Sequence, residues 1–108
     1  MRIDIISAVP ELLESPFSHS ILKRAEEREL VEIRIHDLRK YGIGKHHKID
    51  DYQYGGGAGM VMMIEPILDC LNTIAENRNI DEIIYLTPDG EKHNQSMANR
   101  LSLKDNII

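Results

Sequence analysis

The chain has 108 residues, 42% of them apolar, and its 13 Lys and Arg stand against 18 Asp and Glu for a formal net charge of −5. That length carries one small domain rather than two, and the composition is that of a folded chain rather than a disordered tail. No apolar run approaches the roughly 20 residues that cross a bilayer, and the acidic balance gives no global attraction to nucleic acid, so such a partner would need a local patch.

Met1-Arg2-Ile3-Asp4 places charge where a signal peptide needs an apolar stretch, which argues against secretion. Cys70 is the only cysteine, so no internal disulfide can form and a reducing, cytoplasmic setting is expected. In chain order, Arg2 to Ser7 predicts a short strand stopped at Pro10. Ser15-Pro16 predicts a helix start, with Ser15 as N-cap and Pro16 in the first turn. Phe17, Ile21, Leu22 and Ala25 then recur at helical spacing. Val31 to His36 alternates strictly, Val31, Ile33 and Ile35 against Glu32, Arg34 and His36, as a half-exposed strand does.

Residues 39–63 form a long irregular stretch, which in a compact domain is usually functional or mobile. Ile64, Ile67, Leu68, Leu71 and Ile74 make a second helical stripe that ends at Asn77 to Asn79. Ile80 to Leu86 is almost continuously apolar from Ile83, the pattern of a strand covered on both faces of a parallel sheet. Thr87-Pro88-Asp89-Gly90 is a turn, and Asn94 caps a helix carrying Met97, Ala98 and Leu101. Ile107-Ile108 reads as the first residues of a buried strand, or as an apolar tail packed on the core. The order β-α-β-loop-α-β-α-β predicts an α/β fold with a mostly parallel sheet, and the abrupt end suggests a piece of a longer protein.

The glycine run is the strongest local feature. Gly55, Gly56, Gly57 and Gly59 remove side chains and free the backbone, which suits either a tight turn or close approach of N–H groups to a ligand. The spacing matches neither a dinucleotide fingerprint nor a P-loop. Lys45-His46-His47-Lys48 with Asp50-Asp51 reads as a solvated loop or a metal site for a hydrolase. With Arg39 and Lys40 the same stretch makes a phosphate-contacting patch, beside which Tyr52 and Tyr54 could stack on bases, so a nucleic-acid-binding module is an alternative. Thr87-Pro88 follows the carboxyl end of the most apolar strand, where open α/β sheets bind ligands. Cys70 reads as a small buried hydrophobe. His19, His36 and His93 stand alone.

These residues resemble a known family. Met1 to Ile6, Pro10, Ser15-Pro16-Phe17 and Ile21 to Ala25, then Asp50-Asp51-Tyr52-Gln53-Tyr54-Gly55-Gly56-Gly57-Ala58-Gly59-Met60-Val61-Met62, then Tyr85-Leu86-Thr87-Pro88-Asp89-Gly90 and Asn94-Gln95 to Leu101 are similar to the opening of the bacterial tRNA (guanine-N1)-methyltransferases, TrmD. The resemblance covers essentially the whole chain. It implies a SPOUT fold, a parallel sheet with helices on both faces, here stopping before the carboxyl-terminal trefoil knot and the helical tRNA-binding domain. It implies a homodimer that moves the methyl group of S-adenosylmethionine to N1 of guanosine 37, beside the tRNA anticodon, with magnesium assisting and a fragment of this length inactive alone. Residue by residue, it implies methyl-donor contacts for Tyr85, Leu86, Thr87 and Pro88, and substrate contacts for Asp50, Gly55, Gly56, Gly57 and Gly59. No residue takes the general-base role. Gln53 stands where many members carry proline.

Overall fold

Two alternating runs set the frame. A computed structural model describes all 108 residues. Strand β1 (Arg2–Ser7) lies parallel to β2 (Glu32–Asp37), pairing Ile3 with Ile33 and Ile5 with Ile35. Ile3 and Ile5 therefore share one face, and Asp4 and Ile6 the other. On the far side of β1 lies β5 (Asn106–Ile107), also parallel, with Ile3 opposite Ile107. The sheet order is β2-β1-β5. The last residues are thus a strand: Ile107 is buried, while Ile108 packs against the core cluster.

A fourth strand position is only partly built. Glu82 bridges Ile107 in parallel, and Asp81, Ile84 and Ile108 share backbone hydrogen bonds of 2.7–3.0 Å across that edge. The expected strand covered on both faces is corrected here, because Ile83 is 60% and Leu86 88% exposed. An apolar run signals a demand for cover without supplying it, and this segment pairs along one edge only.

The helices follow the expectations except near Pro16. Helix α1 (Glu11–Phe17) begins after Pro10 and holds Pro16 in its last turn. A separate α2 (Ser20–Glu27) follows, opened by His19 and Ser20 with a φ of 58°. Pro16 is therefore a stop rather than a start, since its ring and missing N–H disrupt the bond to the residue four back. Neither helix buries a residue completely. Helix α3 (Ile64–Ala75) does, through Pro66, Cys70 and Ile74, and Asn77 turns the chain after it with a φ of 58°. Helix α4 (Gln95–Leu101) is capped as expected, the Asn94 side chain accepting from the Met97 N–H at 2.9 Å.

The stretch 39–63 is less irregular than its composition suggests. A 3-10 turn (Leu38–Tyr41) leads into a tight turn closed by Ile43 and Lys48, then into a hairpin of β3 (Asp50–Tyr52) and β4 (Met60–Met62). The core lies beneath it: Leu38, Ile49, Cys70 and Ile74, with Ile6, Ala8, Tyr41, Ile67 and Ile108 packed against them.

Candidate functional site: the carboxyl rim of the sheet

Because all the sheet strands run parallel, the connections leaving Ser7, Asp37 and Leu86 emerge at one rim. Both regions singled out in the sequence lie on connections that leave this rim. The glycine hairpin follows β2, and Thr87-Pro88 follows the partial fourth strand.

In the hairpin, Asp50 pairs with Met62, Asp51 with Val61 and Tyr52 with Met60. The connecting turn needs its glycines: φ is 84° at Gly55, 74° at Gly56, 119° at Gly57 and 102° at Gly59, all left-handed values that side chains resist. Gln53 closes the turn by donating from Nε2 to the Ala58 carbonyl at 3.1 Å. A Cβ on Gly57 would lie 2.7 Å from that nitrogen, whereas Gly55, Gly56 and Gly59 face open space. None of the N–H groups from Gly55 to Gly59 has a partner within the chain. The turn is thus a side-chain-free row of free donors.

Asp50 is half-buried at the start of β3, and its carboxylate makes no hydrogen bond or ion pair. Asp51 is the engaged carboxylate. It accepts from the Tyr52 N–H at 2.8 Å and from Lys48 Nζ at 3.2 Å, and these two contacts hold its carboxyl below the usual carboxylate range.

At the strand tip, Tyr85 and Leu86 are exposed, and the Thr87 carbonyl accepts from the Gly90 N–H at 3.2 Å. The N–H groups of Tyr85, Leu86 and Thr87 are unpaired, and Pro88 has none. This is an apolar wall with free backbone donors and acceptors, the chemistry that a nucleoside's edges require.

The chain leaves the same rim toward both regions but does not join them. Strands β1 and β5 lie between β2, after which the hairpin's excursion leaves, and the partial fourth strand that ends at Thr87-Pro88. No hydrogen bond or ion pair connects the two regions. A cleft of about 580 Å³ opens at the opposite, amino rim, beside Met1, Glu29, Val31, Glu32 and Asp105, and it holds none of these residues. His46, His47 and Asp50 do not converge, since no three metal-ligating side chains gather anywhere in the chain. Cys70 is fully buried and free, and burial pushes its thiol up.

One constellation escaped the sequence. Asp4, its side chain wholly buried, accepts from Arg2 Nη2 at 2.9 Å and Nε at 3.0 Å and from Arg78 Nη1 at 3.0 Å, with His36 Nε2 at 2.8 Å. Arg78 also donates to the Asn106 side chain at 2.9 Å. His36 is therefore not isolated. In the register Asp4 stands opposite Arg34, and His36, two positions further along β2, shares its face of the sheet; that alternation was the one available signal, and Arg78 gave none.

Comparison with known proteins fits this frame. The family model of the tRNA (Guanine-1)-methyltransferase TrmD matches residues 1–108. Proteins named tRNA (guanine-N(1)-)-methyltransferase from Azobacteroides pseudotrichonymphae and Flavobacterium johnsoniae are each 58% identical to the whole chain, which covers 49% and 48% of them. The crystal structure of tRNA (m1G37) methyltransferase from Aquifex aeolicus superposes with a TM-score of 0.87 at 32% identity, over 99% of this chain and 48% of that one. The chain spans about half the length of the relatives it matches. With its full length matched and its parallel sheet shared, the chain belongs to the TrmD family of tRNA (guanine-1)-methyltransferases.

Proposed function

We propose that these 108 residues are the amino-terminal part of a SPOUT methyltransferase domain, one side of an enzyme that methylates N1 of a guanosine in tRNA. The observation that carries this is the whole-length match to relatives named for that reaction, joined to coverage of only about half of each. The Aquifex relative is called a tRNA (m1G37) methyltransferase, which makes guanosine 37, beside the anticodon, the proposed acceptor. S-Adenosylmethionine, when bound, supplies the methyl group. The proposed setting is the cytoplasm, and the proposed assembly a homodimer. No helix is long and apolar enough to cross a membrane.

The chemistry divides the work. Guanine N1 is a poor nucleophile while protonated, so transfer needs a base for that proton, reactants held in line and donors for charge growing on O6. This chain's part is positioning. Tyr85, Leu86, Thr87 and Pro88 offer an apolar surface and free backbone groups to the methyl donor. The amides of Gly55, Gly56, Gly57 and Gly59 offer donors to the nucleotide, with Asp50 at their base. The chain gathers no ligand set for magnesium, and no step here uses one. The base lies outside these residues, so the chain alone is inactive.

The test replaces the matching half of the Flavobacterium johnsoniae relative with this chain. The chimera should methylate tRNA at a rate within about tenfold of its parent, a barrier difference of about 1.4 kcal/mol. A folded chimera without methylation defeats the reading, and turnover by the 108 residues alone defeats the division of labour. Within the chimera, Leu86→Asp should raise the KM for S-adenosylmethionine and leave that for tRNA unchanged. The converse would remove the strand tip from the donor site.

A further inference from the structure

The excursion after β2 carries charge opposite to the rest of the molecule. Arg39, Lys40, Lys45 and Lys48 stand within ten residues that hold no carboxylate; taking those four from a net −5 leaves −9 on the remainder. The stretch is braced at every level. Leu38 and Ile49, at its two ends, are buried in the core. Asp37 accepts from the Arg39 N–H at 2.9 Å and caps the 3-10 turn. Ile43 and Lys48 exchange both backbone hydrogen bonds, at 2.8 and 3.0 Å, and the His47 N–H donates to Gly44 at 3.2 Å. Gly42 sits so close against the His47 backbone that no Cβ fits there. The result is a fixed, solvent-exposed cationic finger.

Its charges are mostly unused within the chain. Lys48 pairs with Asp51 at 3.2 Å, while Arg39, Lys40 and Lys45 meet no carboxylate. Asp51 also accepts from the Tyr52 N–H, which ties the finger to the first strand of the glycine hairpin. Tyr52 is 80% exposed and Tyr54 wholly so. Two bare aromatic rings therefore lie on and just after the strand that the Lys48–Asp51 pair ties to the cationic finger.

We infer that the finger and these two tyrosines grip an unpaired stretch of RNA, the cations on phosphates and the rings on bases. Stacking surfaces beside a positive track are what unpaired nucleotides require. A membrane surface would instead call for an amphipathic helix with cations along one face, and this stretch is a turn. The −9 of the remainder is no obstacle at working salt: at about 0.1 M, charges beyond about 10 Å are largely screened, so the local patch decides. The inference deepens the proposed activity, naming where the chain meets RNA, and rests on that reading for RNA rather than DNA.

The test is fluorescence anisotropy of the 108-residue chain with labelled single-stranded oligouridylate, duplex RNA and phosphatidylglycerol vesicles. Single strands should bind, duplex more weakly and vesicles not at all. The double variant Lys40→Glu, Lys45→Glu should bind at least about tenfold more weakly, with a salt slope shallower by about 2. Tyr54→Ala should bind about tenfold more weakly at an unchanged slope. These side chains are exposed, and far-UV circular dichroism will confirm that the variants fold. Unaltered affinity in either variant, or duplex or vesicle binding as tight as single-strand binding, overturns the inference. If the grip fails while the chimera still methylates tRNA, only this inference falls; if RNA binding survives an inactive chimera, only the activity does.

Discussion

Asp4 shows how one residue joins distant parts of this chain. Its carboxylate lies in the middle of β1, its side chain 0% exposed, and is reached by guanidinium groups from Arg2 and from Arg78 beyond α3, with His36 of β2 against it. Burial pushes its pKa up, but the hydrogen bonds from Arg2, His36 and Arg78 together outweigh burial and bring it down to about 2 from 3.8. Asp4→Asn should cost about 1–3 kcal/mol in urea unfolding, because two partly buried guanidinium groups lose the charged half of their hydrogen bonds. In a domain whose total stability is about 5–15 kcal/mol, that is a large share. The acid response has a definite sign. As pH falls through the interval from 3.8 to about 2, the unfolded chain takes up the proton before the folded one, so stability is lost there. The contribution, about 2 kcal/mol from a difference of nearly two pKa units, is complete above about pH 5. In Asp4→Asn the urea midpoint should lose this part of its pH dependence. An unchanged profile would mean that the carboxylate is not held in the folded state.

At the level of elements, the turn between Tyr41 and Ile49 depends on a missing side chain. Gly42 has ordinary angles, φ −64° and ψ 153°, so alanine is conformationally acceptable there. What forbids it is the His47 backbone. Gly42→Ala should therefore cost about 1–3 kcal/mol, as overpacking does, and speed hydrogen exchange at the Ile43 and Lys48 amides; equal exchange in both proteins would show that the turn can shift freely. Such constraints mark the boundary of what was legible in the sequence. β1, β2 and α3 were readable because alternation and helical spacing are local, and Asn94 announced α4 because a cap acts three residues ahead. Pro16 was misread because proline suits a first turn and ends a last one, and the spacing alone does not distinguish them. β3 and β4, three residues each, are too short for alternation to register. The Asp4 network joins residues 74 positions apart. The glycine run was visible as composition, but its four left-handed φ values and the closure by Gln53 were not.

On the scale of the molecule, the structure is open. The radius of gyration is 15.8 Å, against about 13 Å for a compact chain of this length, and only 7 of 108 residues are buried. The uncovered apolar surface concentrates at the partial fourth strand, where Ile83, Tyr85 and Leu86 are exposed along a free backbone edge. Two forces compete at that edge. Apolar contact and strand pairing favour association, and the net charge of −5 on each copy opposes it. Salt weakens only the second, shortening the screening length from about 30 Å at 0.01 M to about 10 Å at 0.1 M. Sedimentation velocity should therefore find the chain more associated at higher salt, the reverse of charge-driven pairing. Leu86→Lys removes apolar area and adds a charge at the edge, and should return the chain to monomer at the same salt. If the chain stays monomeric throughout, or if Leu86→Lys associates as the parent does, the exposed strand is not the contact. The apolar residues would then be held out of reach by the charge around them.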